Sequence, residues 1–168
     1  QFNKTDFIGN GCKVEYGDID GEFGWTLQED MVWEGDLTLV DDEMNLNGYS
    51  LTINGDLIHV SGNMNINGGS LIVNGDYKMQ FVSEKNGEEV IRTGSSKITM
   101  LNNDDNICIE GDWLYDSDTR NVLKAGKLEV KGNLTTTENS EWFLTYDSHE
   151  LIYYNGNSPI LLTGISSN

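Results

Sequence analysis

Two dense carboxylate clusters, Asp41-Asp42-Glu43 and Asp104-Asp105, are where acid–base chemistry could be built in this chain. Polysaccharide-cleaving centres of the hydrolase or lyase type use one carboxyl poised as acid and another as base or nucleophile, a few ångströms away. Both clusters stand beside Asn and turn residues, however, where a solvated loop is the ordinary reading. Nucleophilic catalysis has less support, because there are two histidines, His59 and His149, and no Gly-x-Ser-x-Gly elbow. His59 follows Leu57-Ile58 and precedes Val60, the setting of a surface or satisfied histidine. A zinc site would need more His and Cys than are present. Cys12 and Cys108 read equally well as one long-range disulfide or as two buried small side chains. No catalytic residue is assigned, and the expected class is a non-enzyme.

A second set of carboxylates recurs at intervals: Asp36, Asp56, Asp76 and Asp112, with Asn133 in the fifth place. Like charges stacked about 5 Å apart need solvent, hydrogen bonds or a cation to offset their repulsion. That makes the four aspartates weak candidates for structural calcium. No copy matches the Gly-Gly-x-Gly-x-Asp roll or an EF-hand loop, so Asp closing a backbone corner is the favoured reading. No cofactor is expected.

Binding chemistry is the third prospect. Trp113-Leu114-Tyr115, Trp142, Tyr146, Tyr153 and Tyr154 could present a contact patch, since Tyr and Trp combine large contact area with a polar tip. The same residues could equally close the core or a C-terminal cap.

The elements that position these residues are set by a repeat. The pattern apolar-x-Gly-Asp/Asn-apolar occurs at Trp33-Glu34-Gly35-Asp36-Leu37, Ile53-Asn54-Gly55-Asp56-Leu57, Val73-Asn74-Gly75-Asp76-Tyr77, Ile109-Glu110-Gly111-Asp112-Trp113 and Val130-Lys131-Gly132-Asn133-Leu134. Successive glycines are 20, 20, 36 and 21 residues apart. Asn45-Leu46-Asn47-Gly48 and Asn65-Ile66-Asn67-Gly68 keep the same step. Short alternating runs between them, such as Leu51-Thr52-Ile53, signal strands. Asn-Gly usually marks an antiparallel hairpin, but a meander has no reason to hold residue types in phase every twenty positions. A solenoid does, because equivalent positions stack in successive coils.

The expected fold is therefore all-β: a parallel β-helix-like solenoid of about five to six coils, roughly 25 to 30 Å long at the usual strand spacing. One domain is expected, with residues 1–24 as an N-terminal cap, 25–134 as coils and 135–168 as a C-terminal coil and cap. The 36-residue step holds an insertion at about 81–96, which reads as a hairpin turning at Asn86-Gly87. Insertions of this kind often carry function, so Val90 and Arg92 join the binding candidates.

Composition narrows the partners. Acidic residues outnumber basic ones 28 to 10, a formal charge of −18. That argues against nucleic acid and against an anionic membrane surface, and favours a protein with a basic face. Hydrophobic residues at 37% with four tryptophans argue against disorder. No apolar run is long enough to span a bilayer. The opening Gln-Phe-Asn-Lys reads as an excised or processed segment.

The run from Gly24-Trp25-Thr26-Leu27 through Gly35-Asp36-Leu37 to Leu71-Ile72-Val73-Asn74-Gly75-Asp76-Tyr77 resembles a repeat module of large secreted or cell-surface proteins from anaerobic Gram-positive gut bacteria. His149-Glu150-Leu151-Ile152 with Asn155-Gly156 is similar to the closing strand of that module, whereas Asp41-Asp42-Glu43 departs from its glycine-rich pattern. The resemblance implies an extracellular, non-enzymatic binding module. Some such surface proteins are immunoglobulin-binding superantigens, so it implies a host protein as partner, with immunoglobulin one specific candidate. A carbohydrate-binding module and a passive spacer are the alternatives.

Overall fold

The computed structural model describes residues 24–137 and, by backbone alone, the strands Glu150–Asn155 and Ser158–Thr163. The chain is all-β and winds as a solenoid of about five turns with three parallel faces. The first face stacks β1 (Gly24–Thr26), β4 (Asp42–Asn45), β7 (Ser61–Asn65), β11 (Ser95–Met100) and β14 (Val122–Leu123). The second stacks β3 (Leu37–Leu39), β6 (Leu57–His59), β9 (Tyr77–Lys85), β13 (Trp113–Tyr115) and β16 (Leu134–Thr136). The third stacks β2 (Met31–Glu34), β5 (Ser50–Asn54), β8 (Ser70–Val73), β12 (Asn106–Ile109), β15 (Lys127–Val130) and β17 (Glu150–Asn155), and β18 (Ser158–Thr163) then pairs antiparallel with β17. The parallel stack continues through β17, inside the 135–168 region expected to hold a C-terminal coil and cap, while the expected N-terminal cap lies outside the described residues apart from Gly24.

Register follows the sequence repeat. Leu51 pairs with Leu71, Ile53 with Val73 and Met44 with Met64. Each coil therefore points the same positions inward, and the buried columns are aliphatic: Leu51, Leu71 and Ile107 on the third face, and Leu46, Ile66 and Met100 at the first-face corner. Full burial of one such side chain is worth about 1.5–3 kcal/mol relative to exposure. The wall holds because every coil supplies these residues in phase.

Corners explain the glycines and asparagines. Asn47-Gly48 and Asn67-Gly68 both take positive φ at their two residues, and the N–H of Tyr49 and Gly69 bonds back to the carbonyl of Leu46 and Ile66 at 2.9 Å. That is the tight turn usually seen in hairpins, used here to bend the chain from one parallel face to the next. Asn86-Gly87 has the same φ signs (56° and 78°) and does make a hairpin, joining β9 to β10 (Glu88–Thr93). The excursion occupies residues 80–93, slightly earlier than the expected 81–96. Ser95 and Ser96 already belong to the first face, paired with Ser61 and Gly62.

Candidate functional site

The Gly-Asp corner is a hydrogen-bonded ladder. Asp36 Oδ1 accepts the backbone N–H of Asp56 at 2.8 Å, Asp56 Oδ1 that of Asp76 at 2.8 Å, and Asp76 Oδ1 that of Asp112 at 2.9 Å. Asp112 Oδ1 closes the series by accepting the N–H of Asn133 at 2.7 Å. Each carboxylate thus satisfies a main-chain donor of the following coil, and Lys78 Nζ bridges Asp56 at 2.8 Å and Asp76 at 3.4 Å. Partial burial would raise the Asp56 carboxyl, but the Lys78 hydrogen bond, the Asp76 N–H and the Lys78 charge together hold it below the usual carboxylate range. The adjacent glycine column leaves no room for a side chain: a Cβ on Gly75 would lie 2.3 Å from Asp56 Oδ1 and 2.6 Å from the Gly55 carbonyl oxygen. Hydrogen bonds and one lysine are what offset the stacked charges here. Among the described residues, no group of three or more His, Cys, Asp or Glu could hold a metal.

The two carboxylate clusters are corner pieces, and neither is simply a solvated loop. Asp105 is 1% exposed, and it accepts the N–H of Gly68, Leu101 and Asn102 at 2.5, 2.7 and 2.9 Å. It therefore caps a corner that lacks Asn-Gly. Asp42 is also buried, and burial lifts its carboxyl above the usual range, against the Val40 N–H hydrogen bond and with the Asp41 charge. Asp41 exchanges two hydrogen bonds with Ser61, its N–H donating to Ser61 Oγ at 2.7 Å and its Oδ1 accepting from that hydroxyl at 2.6 Å. These carboxylates are engaged with backbone and hydroxyl groups, an arrangement that explains their presence without a substrate.

Trp113 and Tyr115 correct the expected aromatic patch. Both are fully buried, because the Trp-Leu-Tyr run keeps the alternation of its face and turns both rings inward. Trp113 pairs in register with Tyr77, their rings near-parallel at 6.2 Å, and Tyr77 stacks in turn on His59 at 6.1 Å. His59 Nδ1 lies 2.9 Å from the Tyr77 hydroxyl. Burial drives the imidazole pKa down to about 3, against the backbone of Ser61 and Gly62, so the ring is neutral at ordinary pH. With Nδ1 taken as acceptor from the Tyr77 hydroxyl, the neutral ring carries its proton on Nε2, a buried atom without a hydrogen-bond partner among the described residues. Burial likewise pushes the Tyr115 phenol up to about 12, with the Asp118 charge adding, and its hydroxyl donates to the Thr119 carbonyl at 2.7 Å.

Cys108 lies half-buried on the outside of the third face, its Sγ 3.6 Å from Glu110 Oε1, and burial raises the thiol above its ordinary value. Cys12, its proposed partner, lies outside the described residues. So do Trp142 and Tyr146, and Tyr153 and Tyr154 are known only as backbone positions of β17.

Val90 and Arg92 remain as surface candidates, both on the β9–β10 hairpin. Val90 is half-buried and Arg92 exposed, and they share a ribbon face with Phe81 through the register Phe81↔Arg92 and Ser83↔Val90. Ile91, which the sequence reading did not single out, is 53% exposed on the opposite face. Its alternation between Val90 and Arg92 was the available signal. The hairpin is the one described element that leaves the three-faced wall.

The fold and this hairpin define the molecule as a β-solenoid with a projecting ribbon. Comparison with protein-family models, curated proteins and solved structures finds no match to the chain.

Proposed function

We propose that this chain is a non-catalytic extracellular binding module of a bacterial surface or secreted protein, that it recognises a host protein, and that the β9–β10 hairpin is its contact element. One observation carries the reading: a wall built coil upon coil from ladders is interrupted once in its described length, by a ribbon that exposes Ile91 and Arg92 to solvent. Such a departure adds nothing to the stacked core. The negative charge of the chain supports a partner with a basic face and an association that slows as salt is raised. A glycan-binding reading needs an exposed aromatic platform, and burial of Trp113 and Tyr115 removes two of its proposed members.

The test is capture from serum and mucosal secretions with the chain as bait, immunoglobulin included among the prey, beside a variant lacking residues 80–93. Recovery of a protein by the intact chain alone supports the reading. Binding on a glycan array with nothing recovered from the fluids overturns it, and no ligand in either assay leaves the spacer reading in its place.

A further inference from the structure

The register of the hairpin divides its side chains into two unlike faces. Directly paired residues of antiparallel strands point to the same side. One face carries Phe81 with Arg92, Ser83 with Val90, and Lys85 with Glu88; the other carries Gln80 with Thr93, Val82 with Ile91, and Glu84 with Glu89. On the first face the charges next to the turn are opposite, and the ribbon neutralises itself. On the second, two glutamates stand directly across from each other, both exposed, beside the Val82–Ile91 step. Like charges directly opposed weaken a strand pair, and an isolated two-stranded ribbon is marginal already. The ion pairs of Lys78 to Asp56 and Asp76, of Lys127 to Glu129 and of Lys131 to Glu110 lie on the wall, away from this pair.

We infer that the Val82–Glu84–Glu89–Ile91 face is the docking face, and that its occupant is a partner-protein segment presenting Lys or Arg beside an aliphatic residue; this rests on the binding-module reading above. One cation between Glu84 and Glu89 turns a repulsion into two attractions, and an aliphatic neighbour covers Ile91, which is otherwise half in water. Complementarity of this kind favours basic partners and rejects acidic ones. Val90 and Arg92 then lie on the back of the ribbon.

The test uses the whole chain and a defined probe, the blocked pentapeptide Lys-Val-Lys-Val-Lys, with its Glu-for-Lys counterpart as control, at 150 mM salt. Amide chemical-shift changes are expected to centre on Val82, Glu84, Glu89 and Ile91, with none for the acidic peptide. Glu84→Lys or Glu89→Lys should weaken binding about tenfold, while Glu43→Lys, the same charge change at an exposed wall position away from the hairpin, should alter it less than about twofold. Both face variants replace a like-charge pair with an opposite one, so the ribbon stays formed. Shifts spread along the Asp36–Asp112 corner, or equal losses from Glu84→Lys and Glu43→Lys, would overturn the inference by showing general attraction to an acidic surface. If the peptide pattern holds but no host protein is captured, the host-protein reading falls and this face stands. If a captured protein still binds the Glu84→Lys/Glu89→Lys double variant, this face falls and the module reading stands.

Discussion

Asp76 accepts the backbone N–H of Asp112 at 2.9 Å across 36 residues of chain, in the same way that Asp56 accepts that of Asp76 across 20. The ladder therefore measures coils and is indifferent to the number of residues in each. Removing one rung should leave a main-chain donor short of its partner. Asp76→Ala is expected to destabilise by about 1–3 kcal/mol in urea unfolding, and Asp76→Asn, which keeps an acceptor oxygen, by less.

The same ladder makes a statement about calcium. Every Oδ1 of Asp36, Asp56, Asp76 and Asp112 is bonded to a main-chain N–H, so the column is expected to hold together without a cation. Chelator should leave the melting temperature where it was. A clear fall with EDTA, restored by calcium, would show that a cation is part of the stack.

Glycine substitutions should separate close approach from backbone conformation. Gly75→Ala drives a Cβ against Asp56 and the Gly55 carbonyl, and should cost about 3 kcal/mol or more. At Gly87 a Cβ meets nothing within 4 Å, and only the positive φ of +78° opposes it, so Gly87→Ala should cost about 1–2 kcal/mol of local turn stability. Melting curves for the first and hydrogen exchange of the hairpin for the second are the measurements.

His59 predicts a pH dependence of known sign. Its folded pKa of about 3 lies below the ordinary 6.5, so between those values the unfolded chain binds a proton that the folded chain refuses. Stability must then fall as pH drops from about 6.5 toward 3, by up to a few kcal/mol from this group. Asp42, raised by burial, acts in the opposite sense just above the usual carboxylate range, so the cleanest window is pH 5 to 7. His59→Phe should flatten the curve there.

Buried and exposed candidates should behave differently on truncation. Trp113→Ala empties a fully enclosed site and is expected to cost about 3–5 kcal/mol. Ile91→Ala, on the ribbon, should leave melting nearly unchanged and weaken capture of any partner that binds through the hairpin. A Trp113→Ala chain that melts normally would contradict the core placement.

The coil pattern was legible because Gly55, Gly75, Gly111 and Gly132 sit where a Cβ would run into the preceding coil, while Gly35, with open space around it, takes a positive φ of 91°. Asn86-Gly87 was legible as a hairpin for its turn chemistry, although the same dipeptide at 47–48 and 67–68 makes corners; what separates the uses is whether the flanking strands pair with each other or with neighbouring coils. Trp113 and Tyr115 suggested a contact patch through their contact area and polar tips, but their inward column already holds Tyr77 and Met79. Burial of Asp105 could not be read at all. Its partners come from Gly68, Leu101 and Asn102, and the first is brought close only by the stacking itself.

The closing of the coil behind the hairpin has a further consequence. Ser95 N–H bonds to Val60 and Gly94 N–H to Asp116, which restores the wall at the residue where the ribbon returns. Asp116 N–H bonds in turn to the Met79 carbonyl, so both ends of the excursion are clamped at one corner by bonds that do not involve the excursion itself. Segments of other lengths and sequences can be spliced between Met79 and Gly94 without renegotiating the fold, which makes this corner a natural socket for diversification and for displaying foreign peptides.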